Sequence, residues 1–160
     1  MNARWKGAFI ALLISPGVLF AQVGWKTYTN ARFGFSLKYP TNWGTKADAP
    51  NGAGAEFRSP DGKILVIAQG HFLAGQSLRD FEEALRKRFE GEAITVRQTQ
   101  RGFILEAVGR TEVTLVHFAA RAGNWASLEA TSPRGDEDPF LNDIFKSWKP
   151  FLEGNYDRAP

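Results

Sequence analysis

The two histidines, His71 and His117, are the side chains best suited to acid–base or metal chemistry, because the 160-residue chain contains no cysteine. A zinc site would need both imidazoles and additional carboxylates, and the sequence has no His-x-x-x-His or comparable spacing. His117 shares one side of a predicted strand with Val113 and Leu115, whereas His71 follows Gly70 at a strand end. We therefore predict that His117 is a partly buried sheet residue with a local hydrogen bond, and we assign no metal site.

Three consecutive acids, Asp136, Glu137 and Asp138, could supply oxygen ligands to calcium. They lack the Asp-x-Asp-x-Asp-Gly spacing that wraps a loop around the ion. A predicted helix follows them, and the free N–H groups and dipole at a helix start favour anions. The cluster is interpreted as a helix cap, with calcium binding as the alternative.

The sequence patterns of common catalytic sites are missing. There is no Gly-x-Ser-x-Gly elbow and no Ser-x-x-Lys box. The glycine-rich run at residues 51–54 is too short to cradle a phosphate and leads into a predicted strand. The integrin-type tripeptide at residues 134–136 is interpreted as coincidental. We predict no catalytic residue and no cofactor. An acid–base pair of carboxylates that are distant in the sequence and meet only in the fold remains an open alternative.

The N-terminal segment, residues 1–21, has the organisation of a signal peptide. Arg4 and Lys6 form a positive start, residues 7–20 are apolar and uncharged, and Ala21 offers a small residue for cleavage before Gln22. The apolar stretch is shorter than the roughly 20 residues that a membrane-spanning helix needs. We predict cleavage between Ala21 and Gln22, with an uncleaved anchor or a buried helix as the alternative.

Cleavage there changes the charge balance of the protein. The chain has 20 Lys and Arg against 17 Asp and Glu, a net charge of +3. Arg4 and Lys6 leave with the signal, so the mature chain has 18 basic and 17 acidic groups and a net charge of +1. A nucleic-acid partner, which would require a surplus of positive charge, is therefore not expected. The absence of cysteine also excludes a lipoprotein anchor, so we predict a periplasmic or secreted product with no stable membrane anchor after processing.

The mature chain is predicted to be one α+β domain at residues 22–152, followed by a flexible tail at residues 153–160. Strict alternation over residues 33–39 predicts a strand that Pro40 ends. The turn at residues 59–62 predicts a hairpin, residues 41–54 are expected to be a loop, and the apolar residues 64–68 predict a central strand covered on both faces. Two helices and an antiparallel four-stranded meander complete the domain: helices at 77–90 and 139–148, strands at 94–97, 103–108, 111–120 and 125–131.

One stretch resembles the N-terminal signature of the PsbP-like and Mog1-like superfamily. It is the run Tyr28-x-Asn30-x-x-Phe33-Gly34-Phe35-Ser36-Leu37-x-Tyr39-Pro40-x-x-Trp43. The segment Ile144-Phe145-Lys146-Ser147-Trp148 resembles the final helix of that superfamily. The resemblance implies an α/β/α sandwich, an antiparallel β-sheet sandwiched by helices. The signal peptide and the missing lipoprotein cysteine favour its bacterial secreted members.

A fold does not define a function, so the functional expectation depends on the missing catalytic patterns as well. The leading hypothesis is a non-catalytic accessory or binding domain for an unknown protein or small ligand. Its contact surface is predicted in the loop at residues 41–54, with Trp43 as the contact residue or, alternatively, as a core anchor. Two other hypotheses are a hydrolase with a spatially assembled site and a purely structural envelope protein.

Overall fold

A computed structural model describes residues 23–47, 52–121, 123–136 and 138–152. Nine strands and two helices lie within these residues. In chain order they are β1 (Trp25–Asn30), β2 (Phe35–Pro40), β3 (Gly44–Ala47), β4 (Gly54–Arg58), β5 (Leu65–Phe72), α1 (Leu78–Arg88), β6 (Ala93–Thr99), β7 (Gly102–Val108), β8 (Glu112–Arg121), β9 (Asn124–Pro133) and α2 (Pro139–Ser147). The predicted cleavage residues Ala21 and Gln22, and the predicted tail, lie outside the described residues.

Seven strands form one antiparallel sheet in the order β3-β4-β5-β9-β8-β7-β6, and β1 and β2 form a separate antiparallel hairpin. The predicted meander is confirmed, because β6, β7, β8 and β9 pair in sequence order. The turn between β4 and β5 is also confirmed, with Gly62 at a φ of 74°. The predicted α+β class, an antiparallel sheet with helices on it, is correct.

The predicted loop at residues 41–54 is wrong in its middle, because β3 occupies Gly44–Ala47. This strand pairs only with β4 and lies at the edge of the sheet. Thr45 and Lys46 are exposed, so the strand lacks the apolar alternation by which a half-buried strand is detected in a sequence. Its backbone pairing with β4 holds it in place.

Helix α1 covers one face of the sheet. Ser77 caps it with a capping box: the Ser77 hydroxyl accepts from the Asp80 N–H at 3.2 Å, and the Asp80 carboxylate accepts from the Ser77 N–H at 2.7 Å. The Phe81 ring lies 4.7 Å from Phe118 of β8 and 5.3 Å from Trp125 of β9, between ring centroids. The apolar stripe of α1 therefore builds a core against β7, β8 and β9.

The β1–β2 hairpin and α2 cover the opposite face over β4, β5 and β9. Phe33 packs on Gly70 of β5, where a Cβ would lie 2.6 Å from the Phe33 Cβ, so only glycine permits this approach. The segment after α2 pairs with β2, since the Ser36 N–H donates to the Lys149 carbonyl at 3.0 Å and the Lys149 N–H donates back at 2.9 Å. These contacts fix the position of α2 on the sheet.

Strand β5 lies inside the sheet, between β4 and β9. Val66 and Ala68 are fully buried under the hairpin and α2. Leu65 and Ile67, on the other face, are only half-buried. The prediction that this strand is covered on both faces is therefore confirmed fully only for the face under the hairpin and α2. On the other face, α1 packs against β7, β8 and β9 and leaves β5 partly uncovered.

Across the described part of the chain, neither helix has the length and apolar character required to span a bilayer.

Candidate ligand-binding groove

The α2-facing side of β7 and β8 extends beyond the helix and remains open. Register places Ile104 opposite His117, and Glu106 opposite Leu115, on this side of the sheet. Ile104, Leu115 and His117 are half-buried. Since side chains alternate between the two faces of a strand, their neighbours Leu105 and Val116 face α1 and are fully buried. The two faces of the same strands therefore differ: one is core and the other is the floor of a groove.

Helix α2 forms the wall of this groove through Leu141 and Phe145, which are half-buried. Two cavities of about 590 and 500 Å³ lie along the helix, and both are lined by Glu106, Leu115 and Phe145. Shared lining residues make them one continuous depression, which we call the α2 groove. Each cavity falls within the roughly 300–1,000 Å³ that is usual for small-molecule sites.

Charged side chains divide the α2 groove into two ends. The basic end has Arg97 of β6 and Lys146 of α2, next to His117. The acidic end has Asp136 and Asp138, next to the start of α2. Glu106 lines both cavities and lies between the two ends.

The cations at the basic end are weakly paired. Within residues 23–47, 52–121, 123–136 and 138–152, no carboxylate oxygen lies within 4.0 Å of the Arg97 guanidinium. Lys146 has its Nζ 3.9 Å from Asp143 Oδ1, and both side chains are more than half exposed. Exposed pairs of this kind contribute little, so the Lys146 ammonium remains available to a ligand.

Burial of the imidazole lowers the pKa of His117, and the nearby positive charge of Arg97 lowers it further. The ring is therefore mainly neutral at pH 7, with one donor and one acceptor nitrogen. A neutral imidazole beside an arginine can accept a hydrogen bond from a ligand group at this end of the α2 groove, or it can donate one to such a group.

Acid is expected to destabilise the fold through His117. The pKa of His117 in the folded protein lies below the ordinary value of 6.5. As the pH falls, His117 is therefore protonated first in the unfolded chain. The stability that neutral His117 contributes is complete above the unfolded pKa and is lost as the pH falls through the folded pKa. Urea denaturation at a series of pH values should therefore show a steeper loss below pH 6.5 for the parent than for His117→Gln.

Arg97→Gln provides the companion measurement, because removing this cation should raise the pKa of His117 toward its ordinary value. An NMR titration of the His117 ring measures that change directly. Superimposable pH–stability curves for the parent and His117→Gln would contradict the prediction that the lowered pKa of His117 makes stability depend on pH.

The residues singled out from the sequence lie in three different places. Trp43 is 5% exposed and belongs to the core under the hairpin, as expected for the core-anchor alternative. The His71 ring lies 4.9 Å from Trp125, away from the α2 groove. Asp138 is the N-cap of α2, its carboxylate accepting from the Phe140 N–H at 2.7 Å, which confirms the cap for this residue. Glu137 lies outside the described residues.

The α2 groove has no signature in the sequence. Ile104 and Leu115 have the same apolar character as their core-facing neighbours, so no pattern distinguishes floor from core. The available signal was architectural: several strands are apolar on both faces, and two short helices cannot cover a wide sheet completely.

In the part of the chain that the structure describes, no group of three or more His, Asp or Glu side chains is positioned to hold a metal ion.

Comparison with known proteins relates the chain to others by structure alone. No protein-family model matches the sequence. No curated protein matches it either. A solution structure of cyanobacterial PsbP (CyanoP) from Synechocystis sp. PCC 6803 superimposes with a TM-score of 0.57 at 15% identity, covering 87% of this chain and 99% of that one. A crystal structure from Bacteroides thetaiotaomicron VPI-5482 gives a TM-score of 0.53 at 14% identity, covering 84% of this chain and 51% of the other. The chain has a PsbP-like fold.

Proposed function

We propose that this chain is a non-catalytic, extracytoplasmic binding domain whose ligand or partner occupies the α2 groove. The observation that carries the proposal is the open depression between α2 and β7–β8, with an apolar floor and wall. Concave, mostly apolar sites with a few placed polar groups are the usual form of small-ligand sites. Leu115 and Phe145 supply the apolar contact area, while the charged groups at the two ends supply selectivity.

The extracytoplasmic location is supported by the sequence of residues 1–21, which has the charge and hydropathy order of a signal peptide. N-terminal sequencing of the protein expressed with this segment tests it. A product starting at Gln22 is expected. A product that keeps the apolar residues 7–20 would contradict the proposed release.

Binding in the α2 groove can be tested with small apolar probes of different charge. We expect indole, benzoate and benzylamine to shift backbone amide signals in β7, β8 and α2 in ¹H–¹⁵N spectra of the mature chain. Leu115→Asn replaces the centre of the apolar floor with an amide and should weaken binding of all three by about tenfold.

Leu65→Asn is the matched control. Leu65 is also half-buried on an inner strand, but it lies on the other face of the sheet. This variant should lose comparable stability and keep the probe shifts. The proposal fails if shifts appear elsewhere, such as around the exposed Phe72, or if the two variants behave alike.

One observation favours a second function, that of a hydrolase: His117, with its lowered pKa, lines the same cavity as Glu106. A neutral imidazole can act as a general base toward water. Steady hydrolysis of an aryl ester that is lost in His117→Gln and retained in His71→Gln would favour this function. Turnover equal to that of free imidazole would exclude it.

A further inference from the structure

We propose that the α2 groove binds an amphiphilic monocarboxylate, with its carboxylate at Arg97 and Lys146 and its apolar chain along Leu115 and Phe145. The inference rests on the proposed function of the α2 groove and adds the chemical class of its ligand.

The basic end provides the carboxylate site. The Arg97 guanidinium has a fork of donors that matches a carboxylate, and no carboxylate of the described residues lies within 4.0 Å of it. Lys146 reaches the same cavity from α2, opposite the strand that bears Arg97. Two cations from two elements thus face one space, and a bound anion would relieve their mutual repulsion.

The middle of the groove provides the site for the apolar chain. The cavity at the basic end is bounded by Ile104, Leu115 and Phe145, and the cavity beyond it continues with Val113, Ala130 and Leu141. The two cavities share lining residues, so an alkyl chain can run from one into the other along α2. Burying each methylene group in such a site is favourable by about the same amount as in a protein core, which makes chain length a measurable contribution.

The acidic end selects against a second negative charge. Asp136 and Asp138 line the far cavity, and Glu106 lies between the two ends. A dicarboxylate of similar length would place its second carboxylate near these groups. A monocarboxylate with an apolar tail avoids this repulsion.

The groups that set the pH dependence lie on four elements. His117 on β8 faces Arg97 of β6, Glu106 of β7 and Lys146 of α2. Protonation of His117 adds a third positive charge at the basic end. Binding of a carboxylate should therefore strengthen as the pH falls toward the pKa of His117, until the ligand itself is protonated.

The test is a titration of the mature chain with octanoate, octan-1-ol, octylammonium, octanedioate and acetate, followed by ¹H–¹⁵N spectra. Octanoate is expected to shift amides of β6, β8 and α2 and to bind about tenfold more tightly than the alcohol, because a charge-assisted pair is added. Octylammonium, octanedioate and acetate should bind more weakly than octanoate. Arg97→Gln should reduce octanoate affinity toward that of the alcohol, with Lys146 left as the one cation at the basic end.

Arg101→Gln is the matched control, since Arg101 is an exposed arginine just after β6 and does not line the groove. It should bind octanoate as the parent does. Equal binding of octanoate, alcohol and ammonium, all weakened by Leu115→Asn, would overturn the carboxylate inference and leave the groove as a binding site. Acetate binding as tightly as octanoate, or binding to anionic phosphatidylglycerol vesicles in place of free octanoate, would also overturn it. Shifts confined to other regions with every probe would overturn both the inference and the proposed function.

Discussion

Replacing Phe35 with alanine is expected to lower the free energy of unfolding by about 3–5 kcal/mol. The Phe35 side chain is fully buried, and its ring centroid lies 5.3 Å from that of Trp148 and 6.1 Å from that of Tyr28. Truncation would leave a cavity where β1, β2 and the end of α2 meet, and it would remove aromatic contacts that add to the loss of buried area. Urea denaturation followed by tryptophan fluorescence measures the change.

Two variants separate this effect from a general loss of an aromatic residue. Phe72 is 61% exposed, so Phe72→Ala should cost less than about 1 kcal/mol. Phe35→Leu keeps most of the volume and should fall between the two. If Phe35→Ala were no more destabilising than Phe72→Ala, the hairpin would not be a structural part of the core.

The same residue connects the fold to the α2 groove. Trp148, which Phe35 contacts, follows directly after α2, and α2 provides the groove wall. The Ser147 hydroxyl also accepts from the Lys38 N–H at 2.8 Å, which attaches the last turn of α2 to β2. The aromatic signature around Phe35 thus has a physical role: it holds the helix against which a ligand would lie.

The sequence predicted those parts of the fold that depend on neighbouring residues. Ser77 and Asp138 cap their helices through hydrogen bonds spanning two or three residues, so their local pattern is sufficient. The meander from β6 to β9 was predictable for a similar reason: short connections leave antiparallel pairing as the only option.

The parts that could not be predicted depend on distant contacts. Thr45 and Lys46 lie in an edge strand that needs only backbone pairing with β4, so their polar character indicates a loop when seen in the sequence alone. The burial of Trp43 follows from the position of the β1–β2 hairpin over the sheet, and a single aromatic residue in a loop does not reveal that position.

The α2 groove is the clearest case, because it depends on what covers each face of a strand. His117 was correctly predicted to be a partly buried sheet residue, but the local hydrogen bond expected for it is not formed with any of the described residues. Its neighbours were not predictable. Ile104 of β7 is paired with Arg97 of β6 on one side and with His117 of β8 on the other, so Arg97 and His117 lie in the same row across the sheet. Lys146 lies on α2, some 30 residues after His117 in the sequence. Only the assembled sheet brings the three together.

Gly54→Ala is expected to destabilise the protein by about 3 kcal/mol, although the sequence around it resembles a flexible loop. A Cβ at this position would overlap the carbonyl oxygen of Ala68 and lie 2.7 Å from the Cα of Gln69. Both are backbone atoms of β5, so the overlap cannot be relieved by rotating a side chain. The strands β4 and β5 would have to separate at Gly54, which is paired with Gln69. Thermal and urea denaturation of the variant measure the loss.

Gly44→Ala is the matched control, because Gly44 is also a strand glycine but the nearest atom to its Cβ would be the Arg58 carbonyl oxygen at 4.0 Å. With room for the methyl group, this substitution should leave stability unchanged or raise it by up to about 1 kcal/mol, since alanine restricts the unfolded chain. Equal losses for the two variants would mean that backbone freedom, and not close approach of β4 to β5, explains Gly54. A large loss for Gly54→Ala alone would show that a residue in an apparent loop determines how the first strands of the sheet are spaced.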